Sequence, residues 1–261
     1  MKTFKSKIID NEKVQTDHYV LSFKVPKRVE KVKPGQFFNL KVNELTVPLL
    51  RRPFGAHKIE KNKVKILYKI VGRATQILSL KKPGDVLDII GPLGKGFDLR
   101  LPLRPGKKEI AILVAGGHGV APLYALAHSL KRTRKALFIG ARTKAHIVCE
   151  KGFRKLGAKV YIATEDGSKG DKGLITKVLT DHIQDNGYKK GTIHIYACGP
   201  KPMLKEIAKI SAKYKCECQV SLEEYLGCGT GICIGCAIET RSGKKLVCKD
   251  GPVFNAGDIL W

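Results

Sequence analysis

The chain has 261 residues, 43% of them apolar, and carries 49 Lys and Arg against 23 Asp and Glu, a formal net charge of +26. No run of eighteen apolar residues occurs and residues 1–7 lack an apolar core, so neither a membrane span nor an export signal is expected, and the chain reads as cytoplasmic. The excess charge is spread along the whole chain without a basic arm or a set of stacking aromatics. It therefore reads as a solvated lysine-rich surface that steers anionic partners, and no nucleic-acid site is expected.

Residues 8–90 read as short strands divided by turn residues. Runs over 19–25, 37–42, 64–70 and 86–90 are β-branched or aromatic, several with period-2 alternation, and breaks fall at Pro26, Pro34-Gly35, Asn62 and Pro83-Gly84. Many short strands without long helical patterns predict an antiparallel β-barrel. Three features within it suit a flavin dinucleotide. Pro34-Gly35-Gln36 enters a strand after a tight turn. Arg51-Arg52-Pro53-Phe54-Gly55 sets a guanidinium beside a rigid turn and an aromatic ring. Tyr68-Lys69 leads through Gly72 to Ala74-Thr75 and a helix over 76–80, whose N–H groups suit a phosphate. Residues 90–97 read as a loop closing the barrel, and 101–106 as a linker.

Beyond the linker, strands and helices alternate. The apolar run 109–115 reads as a buried parallel strand, followed by Gly116-Gly117-His118-Gly119 and a helix over 123–130 opened by Pro122. Strand, glycine turn and helix N-terminus together make a pyrophosphate cradle. Further strands are expected at 136–139, 159–163 and 192–197, with helices at 174–184 and 202–214. The pattern predicts a doubly wound α/β domain with ligands beyond the carboxyl ends of its strands. Strand ends at Gly140–Thr143, Thr164–Gly167 and Cys198-Gly199-Pro200 are candidates. Cys198 reads either as a residue facing a nicotinamide or as a small buried core residue.

The stretch 224–248 holds Cys228, Cys233 and Cys236 in C-x4-C-x2-C, with Cys248 following. This is the plant-type ligand spacing of a [2Fe–2S] cluster, and Gly227, Gly229, Gly231 and Gly235 let backbone fold closely around sulfide. A zinc site would show two C-x2-C knuckles, and only one is present. A disulfide framework is not expected in a reducing compartment. Cys248 lies in a run that reads as a returning strand. Cys216 and Cys218 alternate in a strand-like run and read as packing residues. No Ser-His-Asp set or paired catalytic carboxylates appear. A cluster moves single electrons and a nicotinamide moves hydride, so a flavin is expected between them.

Taken together these segments resemble the ferredoxin–NADP reductase superfamily, and within it the electron-transfer subunits of class 1B dihydroorotate dehydrogenases. The likeness runs through Gly35-Gln-Phe, Arg51-Arg-Pro-Phe54, Gly116 to Pro122, Cys198-Gly-Pro, Val220-Ser-Leu-Glu-Glu224, the cysteine loop and the tail 248–261. It implies an FAD-binding barrel over 1–103, an NAD(H)-binding α/β domain over 104–215 and a [2Fe–2S] module over 216–261. By family position FAD is held by Arg52, Pro53, Phe54, Gly55, Leu67, Tyr68, Lys69, Ala74 and Thr75. Gly116, Gly117, Gly119, Cys198, Gly199 and Pro200 serve NAD(H) as co-substrate, and Cys228, Cys233, Cys236 and Cys248 ligate the irons. The implied partner is an FMN-containing catalytic subunit in a heterotetramer, oxidising dihydroorotate in pyrimidine biosynthesis. Alternatives are a reductase subunit of a sulfide-, sulfite- or hydrogen-linked complex, or a redox-sensing module without turnover. Gly55 stands where the family usually has serine and Ala74 where it usually has glycine.

Overall fold

A computed structural model describes residues 2–27, 29, 31–44, 47–99, 109–131, 133–188 and 192–261. The first half is built from β1 (Thr3–Gln15), β2 (His18–Lys24), β3 (Phe37–Lys41), β4 (Arg52–Glu60), β5 (Lys63–Lys69), helix α1 (Arg73–Leu80) and β6 (Val86–Leu93). These six strands close into an antiparallel barrel in the order β1-β2-β5-β4-β3-β6. Closure is possible because β1 pairs with β2 along one part of its length and with β6 along the other, leaving no free edge. Phe4, Ile8, Leu21, Phe23, Phe38, Leu40, Ile66, Leu87 and Ile89 fill the interior.

Two of the strands were not among the expected runs. In β1 the buried residues Phe4, Ser6 and Ile8 alternate with exposed Thr3, Lys5 and Lys7, so the lysines mask a period-2 pattern. At β4 the expected Arg-Pro turn is instead the start of a strand, with Arg52 opposite Leu40 and Pro53 opposite Asn39. A proline is tolerated there because it sits at the strand's first residues. Strand β6 likewise runs on into the expected loop, to Leu93. The expected linker at 101–106, and the 103/104 boundary with it, lies outside the described residues.

The second half comprises β7 (Ile110–Gly116), α2 (Val120–Ser129), β8 (Arg134–Ala141), α3 (Glu150–Lys155), β9 (Ala158–Thr164), β10 (Asp171–Lys172), α4 (Ile175–Asp185), β11 (Ile193–Cys198), α5 (Lys201–Tyr214), β12 (Glu217–Ser221), β13 (Ala237–Thr240), β14 (Gly243–Leu246) and β15 (Val253–Asn255). Seven strands form one sheet in the order β10-β9-β8-β7-β11-β12-β15, parallel apart from β15. Every residue of β7 and β11 is buried, as expected for central parallel strands covered on both faces. Strands β12 and β15 belong to the stretch expected as the cluster module, so that stretch is hydrogen-bonded into the sheet through its two ends. Cys218 packs inward from β12 at 3% exposure, as a core residue.

The same core that lines the α4–α5 face of the sheet continues into the C-terminal stretch, taking in Cys236, Ile238, Val247, Cys248 and Ile259, together with Phe37 from the barrel. Barrel and sheet are also joined on the other side. His57 of β4 contacts the Ala121 carbonyl at 3.1 Å and stacks on Tyr124 at 4.6 Å. His118 of the glycine turn contacts the Leu67 carbonyl at 2.9 Å and stacks on His18. Burial lowers both imidazoles to about 4, so neither carries charge at neutral pH.

Candidate functional site

The four loop cysteines sit in two pairs. Cys228 and Cys233 are joined by backbone N–H groups pointing at each other's sulfur, at 3.5 and 3.4 Å, and Thr230 N–H also donates to Cys228 Sγ at 3.3 Å. Cys248 N–H donates to Cys236 Sγ at 3.4 Å. Cys248 is not in a strand. It sits in the turn after β14, where the N–H groups of Lys249 and Asp250 fold back to the Leu246 carbonyl. Gly229 and Gly231 take φ of +71° and +89°, and a β-carbon on Gly229 would lie 2.6 Å from Asn39 Nδ2. Glycine is needed there for both backbone angle and space.

This donor set fits a two-iron cluster. Burial opposes ionisation of Cys228, but the hydroxyl and N–H of Thr230 and the N–H groups of Cys233 and Ile232 outweigh it and bring the thiol down to about 5. Cys248 moves the other way, pushed up to about 12 by burial and by the neighbouring Cys236. Cys248 resists ionisation in the absence of a cation, and a metal bound between the paired sulfurs would supply the charge that holds it as a thiolate. Among the described residues no group of three or more His, Cys, Asp or Glu is arranged for a single metal ion. Two pairs of thiols match two metal centres better than one. Cys236 and Cys248 are buried while Cys233 is exposed, so one end of the loop faces outward.

The residues expected at a flavin lie along one rim of the barrel. Arg52 to Gly55 open β4, Leu67 to Lys69 end the neighbouring β5, and Ala74 and Thr75 lie in the first turn of α1. Phe54 meets Tyr68 edge to face at 5.9 Å, and the Tyr68 hydroxyl is held by Asn11 at 3.0 Å. Arg51 is committed to Asp88, bonding its carboxylate and its carbonyl at 2.7 Å each. Among the described residues the Arg52 guanidinium donates only to the carbonyls of Leu50 and Arg51, which water or a pyrophosphate can replace. The Thr75 hydroxyl accepts from the N–H groups of Val71 and Gly72 and donates to the Gly72 carbonyl, so it builds the turn. What remains free for an anion is the set of first-turn N–H groups of α1.

A cavity of about 920 Å³ opens between barrel and sheet at the carboxyl ends of β7, β8, β9 and β11. Gly116, Gly117 and Pro200 line it, joined by His18 and Lys69 from the barrel and by Arg142 and Glu165 from the two other strand ends singled out in the sequence. Gly119, Gly199 and Cys198 act behind this wall. A β-carbon on Gly119 would stand 2.1 Å from the Cys198 carbonyl oxygen, and one on Gly199 would meet Met203 at 2.6 Å. The glycine turn and the Cys198 turn therefore pack backbone to backbone. Cys198 itself is 1% exposed, lies in the core facing α2, and is not part of the cavity wall. Its packing is that of the small core residue, and burial raises its thiol well above the usual range.

From the sequence His118 reads as a loop histidine that could touch cofactor but is more often incidental, and His18 and His57 are not singled out. His118 stands inside the glycine turn, which was a signal, but nothing local to His18 or His57 marks them as joining two domains.

Family profiles match all three parts of the chain. An oxidoreductase FAD-binding domain matches residues 5–97, an oxidoreductase NAD-binding domain 113–209, and the iron–sulfur cluster binding domain of dihydroorotate dehydrogenase B 223–260. The chain is 37% identical over 268 residues to the electron transfer subunit of dihydroorotate dehydrogenase B (NAD(+)) of Desulforamulus reducens, covering 100% of this chain and 99% of that protein. It is 39% identical over 262 residues to the corresponding subunit of Caldanaerobacter subterraneus, covering 98% of each. Among solved structures, one of an NADH-dependent reduced ferredoxin–NADP oxidoreductase, described for flavin-based electron bifurcation, superposes with a TM-score of 0.83 at 27% identity over 98% of this chain and 90% of that one. The cytochrome b5 reductase domain of Ulva prolifera nitrate reductase shares the fold, with a TM-score of 0.62 at 19% identity over 80% of this chain and 93% of that one.

Proposed function

The chain belongs to the family of electron-transfer subunits of NAD(+)-dependent dihydroorotate dehydrogenase B, and on that premise we propose how its residues divide the work. Cys228, Cys233, Cys236 and Cys248 would hold a [2Fe–2S] cluster, which would supply single-electron exchange with an FMN-containing catalytic subunit that oxidises dihydroorotate. The barrel rim would hold FAD, and the cavity above the sheet would take NAD+ as the final acceptor. Two copies of each subunit form a heterotetramer in the cytoplasm, and the pathway served is pyrimidine synthesis. FAD, when bound, supplies the exchange between single-electron and hydride chemistry.

The chain itself needs no catalytic acid or base; its residues supply position. Arg52 and the first turn of α1 hold pyrophosphate, Phe54 and Gly55 border the flavin ring, and Leu67 to Lys69 close the rim. Gly116 and Gly117 let the dinucleotide approach the start of α2. The observation that carries this reading is the sharing of elements between sites. Strand β5 ends at the flavin rim and gives Lys69 to the cavity wall, while β3, which pairs with the Arg52 strand, packs under the cysteine loop. No helix of the described residues is long and apolar enough to cross a membrane. The partner's docking face is read at Tyr225, Ile232 and Ile234, which are 95%, 82% and 69% exposed around the outward Cys233. Large apolar side chains grouped in solvent mark an interaction surface.

Cys233→Ser tests the reading. Dihydroorotate-driven NAD+ reduction in the reconstituted complex should fall at least about tenfold, while NADH oxidation by ferricyanide, which needs only the flavin, continues. Equal loss of both activities with an unchanged melting curve would refute it.

A further inference from the structure

Strand β3 has two faces with different duties. Phe38 and Leu40 point into the barrel, whereas Phe37 and Asn39 point away from it, and Phe37 joins the core that holds Cys236 and Cys248. Asn39 is 1% exposed. Its Nδ2 donates to the Cys228 carbonyl at 3.2 Å, 189 residues along the chain. Its Oδ1 is buried and has no hydrogen-bond partner among the described residues. On the backbone the residue lies opposite Pro53, in the strand that carries Arg52, Phe54 and Gly55.

A buried amide oxygen left unpaired is destabilising, and a leucine of the same shape would avoid that loss. The barrel's stability therefore gives no reason for a carboxamide at this position. Among the described residues its side chain's one bond runs to the loop that bears half-buried Cys228 and exposed Cys233, and Gly229 is held to a glycine by the same side chain. We propose that Asn39 is a positioning residue for electron transfer between flavin and cluster, clasping the Cys228 carbonyl and fixing the cysteine loop against the strand pair that borders the flavin. The inference rests on the function proposed above and assigns the coupling between its two centres to a single side chain. Groups that hydrogen-bond the residues carrying metal ligands commonly contribute 10–100-fold to metal affinity or activity.

The test compares wild type, Asn39→Leu and Asn39→Ser, each purified anaerobically. After mixing with NADH, stopped-flow absorbance separates flavin reduction from the later bleaching of the iron–sulfur bands, and the ratio of the two rates is the readout. For Asn39→Leu that ratio should fall about 10–100-fold, the paramagnetic resonance spectrum of the reduced cluster should change, and the melting temperature should hold or rise. Asn39→Ser, which restores a donor, should recover part of the ratio. On protein stripped of iron, hydrogen exchange of the 226–236 amides should be faster in Asn39→Leu than in wild type. An unaltered rate ratio and resonance spectrum in Asn39→Leu overturns the proposal, as does a melting temperature that drops with a parallel loss of flavin reduction. If wild type itself shows no cluster signal, it is the functional reading that has failed. The exchange experiment on iron-free protein then still decides whether Asn39 holds the loop.

Discussion

Gly119→Ala isolates the backbone packing that shapes the dinucleotide cavity. The new methyl would lie 2.1 Å from the Cys198 carbonyl oxygen, 2.4 Å from its carbon and 2.8 Å from the Gly199 nitrogen. All three are backbone atoms, so no rotamer change relieves the clash, and the turn after β7 or the turn after β11 must move. Overpacking of this kind destabilises by about 1–3 kcal/mol. For a chain of this size each kcal/mol lowers the melting temperature by about 2–4 °C, giving a fall of roughly 2–12 °C. The displaced turn carries Gly116 and Gly117, which line the cavity. Losing one hydrogen bond to a charged phosphate, about 1.5 kcal/mol, raises the KM for NADH about tenfold. The comparator is Gly55→Ala, whose methyl meets only Pro122 Cβ at 3.9 Å and should leave the melting temperature within about 1 °C. Calorimetry and NADH-ferricyanide kinetics measure both effects. A Gly119→Ala protein that melts with wild type and keeps its KM would refute the close-approach argument.

Replacing Ile232 by Asp puts a charge in the exposed apolar face beside Cys233; co-purification with the catalytic subunit should weaken at least tenfold while NADH-ferricyanide activity persists, and undiminished co-purification would move the docking face elsewhere. His57, 7% exposed and held neutral down to about 4, makes the barrel–sheet junction acid-sensitive. The unfolded chain protonates this histidine near 6.5 and the folded chain does not. Its stability contribution is therefore intact above 6.5 and is lost as pH falls toward 4, by about 3 kcal/mol in full. His57→Phe keeps the stacking on Tyr124 and should flatten the fall in urea midpoint between pH 7 and 4.5 relative to wild type; identical slopes would sink the assignment. Arg52→Ala should lose FAD on gel filtration where Arg51→Ala instead lowers the melting temperature, because only Arg51 is tied to Asp88; the reverse pattern would exchange their roles.

Much of the architecture was legible in the order of residues because it rests on local rules. The apolar run of β7, its glycine turn and Pro122 at the start of α2 signal a nucleotide fold through periodicity and turn chemistry alone. The spacing of Cys228, Cys233 and Cys236 signals a cluster because ligands so close in sequence must converge in space. Strand β1 was hidden because its outward lysines mask the alternation. Strand β4 was read as a turn because Arg-Pro is compatible with either, and only pairing with β3 decides.

What the sequence determined by itself was the inventory: a barrel, a parallel sheet, and a four-cysteine loop, each announced by short-range pattern. Tertiary structure alone decided how they are joined. It set Arg51 on Asp88 and left Arg52 to the rim, buried Cys198 behind the cavity wall, and placed Asn39 under a loop 189 residues away. These outcomes depend on contacts between segments distant in the chain, which periodicity and spacing do not encode and which only the closure of the barrel against the sheet brings about.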